Sequence, residues 1–319
     1  MPDIVTHHYF ARKTLELLPK KIREKLNLDL YNFASGGPDP FFFIAFLNPK
    51  KSARALSFGG KMHRENTKMF FAEMIKITKE DKKLFSYLAG FTTHYYLDST
   101  IHPYVYHITG EYRKDDNTTL EYRGLHTKLE RAIDSYFIRY YYNREPHKFK
   151  IHKEILKLKK LDITLKESFD KLYFNVYGLK EGFQYVNKAI KYQRRFYFLI
   201  FDRFGLKNKL LSIIDNNKIR IDLKNLTYYK KEINDLDIFN KNKNRWRNPV
   251  DNKIVSNDSF FELFKAAKEK SLSAIKTIYD YIYNNEAFII EEYFNNLSYI
   301  TGLDCEDKRP LKHFNNIFN

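Results

Sequence analysis

The chain of 319 residues has one cysteine, Cys305, and one tryptophan, Trp246. A lone cysteine excludes an intramolecular disulfide, a cysteine-based zinc finger and an iron–sulfur cluster, so any metal must rest on histidines and carboxylates. Proline is scarce after residue 150, where only Pro249 and Pro310 occur, and the second half is therefore expected to be mostly helix. Long apolar runs are missing too. The longest, residues 41–47 and 196–201, fall well short of the ~20 residues a spanning helix needs, so no transmembrane segment is expected. The first 25 residues are interrupted by Asp3, His7, His8, Arg12, Lys13 and Glu16 and offer no apolar stretch of signal-peptide length. With the unpaired cysteine, this gives a cytoplasmic expectation.

Hydrophobic residues make up 43% of the chain and aromatics 17%, enough apolar material to offset the entropy of ordering it. Lysine and arginine exceed aspartate and glutamate by 56 to 39, a net charge of +17. The excess is even, +8 over residues 1–150 and +9 over the remainder, unlike a basic tail. Such a surface attracts polyanions, lipid headgroups and nucleic acid alike, and equally serves as a solvated exterior.

Apolar residues recur at spacings of three and four over residues 4–18, 63–77, 82–96, 126–142, 167–183, 186–200 and 259–283, the signature of amphipathic helices. Strand-like alternation is rare and no fixed-period repeat is evident. Loops are expected at 32–40, 48–60 and 107–122. A polar excursion over 207–257, with short helices or a hairpin, is expected to dock through Trp246. The expectation is one all-α domain, with metal-site motifs in 1–145 and a helical remainder in 146–319. The Phe41-Phe42-Phe43 run reads as core or cleft wall rather than a lipid-inserting wedge.

Nine of the ten histidines lie at or before residue 152. His94-x3-Asp98-x3-His102 places two imidazoles and a carboxylate on one face of a helix. Composition alone predicts roughly 0.02 occurrences of that pattern in such a chain. His126-x3-Glu130 is a second pair at helical spacing, continued by Arg131 and Asp134. His107-x3-Glu111 has the same spacing but is broken by Gly110. His7, His8, Asp39 and His63 are the remaining candidates. Each alone reads as an ordinary histidine or carboxylate; as a set they are the donors expected of zinc.

The ordered series Thr6-His7, Asp39, His63, His94-x3-Asp98, His102 and His126-x3-Glu130 resembles the zinc-dependent phospholipase C family, whose relatives include fungal tri-zinc nucleases of single-stranded nucleic acid. The resemblance covers roughly residues 1–140 and is closest over 126–134. It implies an all-α fold with up to three zinc ions per chain in one cleft. Asp39, His63, His94 and Asp98 would hold one zinc, His102, His126 and Glu130 another, and His7 with a shared Asp98 the third. Secreted members complete the third site with an N-terminal tryptophan. Here no tryptophan is near, and the Pro2 amine exposed by loss of Met1, or His8, is expected in its place. The gap from Asp98 to His102 is also shorter than in the family.

The implied activity is hydrolysis of phosphodiester bonds in phospholipid headgroups or related phosphodiesters by metal-activated water, with Asp39 orienting or deprotonating that water. The implied partner is a phosphoester substrate, phospholipid or nucleic acid, with peripheral membrane contact compatible with the basic surface. Two alternatives stand beside it: a single-strand nuclease, favoured by charge and interleaved aromatics, and a non-catalytic binding protein held together by metal.

Overall fold

The computed structural model describes residues 3–47, 52–215, 222–228, 233 and 235–318. Helices α1 (Ile4–Leu17), α2 (Lys20–Arg23), α3 (Leu28–Ala34), α4 (Phe42–Leu47), α5 (Ser52–Arg64) and α6 (Thr67–Glu80) precede a 25-residue helix, α7 (Phe85–Thr109). After it come α8 (Leu125–Tyr142), α9 (Ile151–Glu154), α10 (Lys166–Tyr177), α11 (Gly182–Leu199) and α12 (Leu206–Ile214). A two-residue hairpin, β1 (Trp246–Arg247) against β2 (Val255–Ser256), leads to α13 (Phe260–Asn284) and α14 (Ile290–Tyr293). Among the described residues this is an all-α bundle, as expected, and no helix is long and apolar enough to cross a membrane.

The bundle is organised around α7, which is buried along nearly its whole length and flanked by α3, α13, α1 and α8. A helix apolar on every side belongs in a core. The polar residues on α7, including His94, Asp98 and His102, are thus carried into the interior by their neighbours' burial. Gly110, at φ +68°, ends the helix, which removes His107-x3-Glu111 from helical register. α13 opens with a reciprocal cap, the Ser259 hydroxyl accepting from the Glu262 N–H while the Glu262 carboxylate accepts from the Ser259 N–H.

Three sequence expectations need correction. Residues 167–183 do not form one helix: α10 ends at Tyr177, Gly178 turns left-handed at φ +69°, and α11 begins at Gly182. Residues 63–77 do not form one helix: α5 ends at Arg64, Asn66 turns left-handed at φ +58°, and α6 begins at Thr67. Most of the loop expected over 48–60 is α5, with 48–51 outside the described residues. Gly59 falls in that expected loop, yet it is a packing glycine within α5. A Cβ there would come 2.7 Å from the Phe42 ring, so its absence lets α5 lie close on Phe42.

In the polar excursion, Trp246 stacks edge-on against Tyr104 of α7 at 5.6 Å and donates Nε1–H to the Asp258 carbonyl. That is the docking expected of it. Beyond α14 the chain returns to α5 and α7. Tyr299 N–H donates to the His63 carbonyl, Asn315 N–H to His107 and Ile317 N–H to Ile108.

Candidate metal centre

On α7 the sequence places His94, Asp98 and His102 in one stripe, spread over about 12 Å of axis at 1.5 Å per residue. That length lets one carboxylate serve neighbours on both sides. Asp98 Oδ1 lies 3.2 Å from His7 Nε2, and Asp98 Oδ2 lies 3.2 Å from His94 Nε2 and 3.6 Å from His102 Nδ1. His7 comes from α1, its ring stacked on His94 at 4.7 Å. Asp39 sits in a 3-10 turn, Asp39–Phe41, with Oδ1 3.0 Å from His63 Nε2 and Oδ2 3.9 Å from His7 Nε2. On α8, His126 Nε2 and Glu130 Oε1 are 2.9 Å apart. The eight ligands that the resemblance implies therefore cluster, and within each of three sets the donor atoms lie within 4.8 Å of one another: His7, His94 and Asp98; Asp39, His63 and His94; His102, His126 and Glu130. His102 joins the third set despite its short spacing from Asp98.

The donors are oriented by groups behind them. His63 donates Nδ1–H to the Gly59 carbonyl at 2.7 Å, aiming Nε2 at the cluster. His102 donates Nδ1–H to the Tyr299 carbonyl, leaving Nε2 buried and facing the His126 ring. Gly37, at φ +51°, lies directly on His94, where a Cβ would stand 2.2 Å from the ring. Asp134 accepts from the backbone N–H of Val5 and Thr6, the Thr6 hydroxyl and the Tyr228 hydroxyl, at 2.7–3.1 Å. It thereby fastens the start of α1, and His7 one residue on, to α8. Beside it Arg131 is buried against Asp3, the N-cap of α1, and against the ring of Tyr228. His8 points elsewhere, its Nδ1 2.7 Å from the Tyr142 hydroxyl, and is not among the clustered donors. Pro2 lies outside the described residues.

Burial holds His63 down to about 4 and pushes His94 and His102 well below the ordinary imidazole value, with His126 lowered for the same reason. These rings are neutral at pH 7, the form that ligates a metal. Burial also opposes charge on His7, but Asp98 outweighs it and raises that imidazole. For Asp98, burial is outweighed by His102, His94 and His7, which hold the carboxyl well below its usual range. Asp39 goes the other way, pushed well up by burial and then by the charge of Asp98.

Whether zinc suits this cluster is answered by its orphaned atoms. Both ring nitrogens of His7 and of His94, both oxygens of Asp98 and Nε2 of His102 are buried with no hydrogen-bond partner among the described residues. Stranding a buried polar atom costs roughly 1–3 kcal/mol, so a core with seven in one place calls for a common partner. Donors on one zinc at 2.0–2.1 Å stand roughly 3.3 Å apart. The four shortest separations between imidazole and carboxylate here are 3.2, 3.2, 3.0 and 2.9 Å, with 3.6 Å from His102 to Asp98 and 3.9 Å from His7 to Asp39. Nitrogen and carboxylate donors without thiolate are those of a catalytic rather than a structural zinc.

Asp39 and Glu130 also line a cavity of about 290 Å³ walled by Phe42, Phe43, Leu56, Phe196 and Leu226. Phe41 is core, while Phe42 and Phe43 are cleft wall, so the triple-phenylalanine run divides between the two uses expected of it. A larger cleft of about 890 Å³ along α11 holds none of the eight donors. Sequence reasoning missed Tyr299, Gly59 and the Asp3–Arg131–Tyr228 joint. Of that joint only Arg131 left a trace, with the neighbouring Asp134, as the continuation of the His126-x3-Glu130 pattern.

Residues 6–179 match the family model for zinc dependent phospholipase C. Neither the curated proteins nor the solved structures give a match. The matched region covers more than half of the chain and contains all eight clustered donors, on an all-α fold of the kind the family has. The chain belongs to the zinc-dependent phospholipase C family.

Proposed function

We propose that the protein is a zinc-dependent phosphoesterase that hydrolyses phosphodiester bonds of phospholipid headgroups or related phosphodiesters. The observation that carries this is the convergence of eight histidine and carboxylate donors beside an apolar-walled cavity. His7, Asp39, His63, His94, Asp98, His102, His126 and Glu130 are the proposed ligands, for up to three zinc ions, with Asp98 shared between sites. Zinc, when bound, supplies Lewis acidity that lowers the pKa of water and neutralises charge growing on a phosphoryl group.

The chain's own residues then have distinct tasks. Asp39 Oδ1 faces His63, leaving Oδ2 toward His7 to accept a proton from the attacking water. Gly59 and Tyr299 keep the His63 and His102 donors in one tautomer. Phe42, Phe43 and Phe196 exclude water from the cavity and match the apolar part of a lipid-like substrate better than a polyanionic strand.

The test is zinc content and hydrolysis, measured on wild type and His94→Ala. His94 belongs to two of the three donor sets, so the variant is expected to lose at least one zinc and nearly all turnover. Wild type is expected to release phosphorylated headgroups from phosphatidylcholine. Release of nucleotides from single-stranded DNA instead would move the substrate to nucleic acid, and zinc bound without hydrolysis of either would leave a binding protein.

A further inference from the structure

Helix α12 is mounted the wrong way round for an ordinary surface helix. Surface helices bury an apolar stripe and show polar residues to water, but α12 is attached through its polar residues. Asn208 N–H donates to Asp202 Oδ2, and the Asn208 amide donates to the Lys224 carbonyl and the Thr227 hydroxyl. Asp215, just past its end, takes a bidentate bond from Arg123. The Lys207 ammonium caps the carbonyls of Leu199 and Phe201. Leu206, Leu210, Ile213 and Ile214, spaced as one helical face, are left 52–72% exposed. Phe198, Leu199 and Phe204, just before the helix, are 51–73% exposed. Among the described residues, seven of the nineteen large exposed hydrophobics thus fall within residues 198–214, a concentration that marks an interaction surface rather than scattered exposure.

The charge around this face is predominantly positive. Within 198–214 the cations are Arg203, Lys207 and Lys209, and the lone acid, Asp202, is buried and spent on Asn208. Phe198 also borders the 890 Å³ cleft, which carries Lys159, Lys160, Lys191 and Arg195 against a single acid, Asp162. A second copy of the chain docked on the same face by two-fold symmetry would oppose cation to cation. An anionic bilayer offers both an apolar layer and opposite charge. The face also adjoins the proposed active site: Asn208 pins α12 to the segment Leu223–Leu226, and Leu226 walls the metal-lined cavity.

We infer that α12 with Phe198, Leu199 and Phe204 is a membrane-docking face that lays the protein on an anionic phospholipid surface with the cavity wall beside the bilayer. The inference deepens the phospholipid reading above and rests on it for purpose, though not for detection. Docking is read by cosedimentation of the zinc-loaded full chain with vesicles of phosphatidylcholine and phosphatidylglycerol, against phosphatidylcholine alone. Partition is expected to favour the anionic vesicles and to weaken with salt. Leu206→Ser/Leu210→Ser/Ile213→Ser should lower it by about tenfold or more, at unchanged zinc content and melting temperature. Lys209→Glu should lower it less and flatten the salt dependence.

Because the protein itself is counted, lack of hydrolysis leaves docking standing, and lack of docking leaves the hydrolase standing. No partition to anionic vesicles, or partition that the triple substitution leaves intact, would overturn the inference. So would a doubled solution mass that the triple substitution abolishes, which would assign the face to a second copy of the chain.

Discussion

Replacing Asp134 by alanine tests whether the joint between α1 and α8 holds the metal centre together. The carboxylate accepts four hydrogen bonds at 2.7–3.1 Å, two of them from the backbone N–H groups of Val5 and Thr6 in the first turn of α1. Hydrogen bonds to a charged acceptor contribute about 1.5–3 kcal/mol each. Four bonds sharing one carboxylate are not additive, and breaking a buried charged network typically costs about 3–5 kcal/mol. The expected destabilisation is therefore about 4 kcal/mol, read as a lowered urea midpoint with an unchanged slope.

The effect should reach beyond stability, because His7 follows Thr6 and depends on the same anchorage. Leu172→Ala, on α10, which carries none of the eight donors, is a matched control: Leu172 is fully buried, and its truncation costs a comparable ~2–5 kcal/mol. Asp134→Ala is expected to bind less zinc than Leu172→Ala at equal folded fraction. An unfolding free energy within about 1 kcal/mol of wild type, or equal zinc in the two variants, would refute the reasoning.

Three further outcomes follow from the geometry. Zinc affinity should fall as pH drops from neutrality. The Asp39 and His7 pKa values are raised, so both donors are deprotonated only above those raised values, whereas His63, held at about 4, stays neutral throughout. Titration calorimetry in buffers of different ionisation enthalpy should show protons released on zinc binding, and pH-independent binding without release would contradict this. Gly37→Ala should lose zinc without altering any ligand, since its Cβ would stand 2.2 Å from His94 and its φ of +51° costs a side chain roughly 1–2 kcal/mol besides. Metal analysis showing full zinc in that variant would contradict the close packing. Tyr299→Phe should be nearly neutral, because its two hydrogen bonds here are made by the backbone, while Tyr299→Ala removes a ring packed on His63 and His94 and should cost about 3–5 kcal/mol in thermal unfolding.

The bundle and the donors His94, Asp98, His102, His126 and Glu130 were legible in the sequence for a common reason: helical periodicity is local, and ligands four residues apart on α7 and α8 share a face whatever surrounds them; His7, Asp39 and His63 stood out only through the family resemblance. The helical state of residues 52–60, the first part of α5, was less legible. Gly59 carries the same letter whether it ends a helix or admits the Phe42 ring, and only the neighbour across the contact decides which. His8 was indistinguishable from His7 by residue type. The structure separates them by about 100° of helix rotation, sending one to Asp98 and the other to Tyr142. Tyr299 left no signal at all, because it acts through its backbone carbonyl, and a carbonyl is present at every position.

That carbonyl bears on how the protein matures. The donor side chains lie between His7 and Glu130, but the groups that fix His102 and cover His63 and His94 belong to Tyr299. During synthesis the nascent chain displays its complete donor set long before the segment that orders it has left the ribosome, and contacts so distant in sequence are among the last to form. The donor geometry around α7 is therefore complete only once this last strap has closed on it.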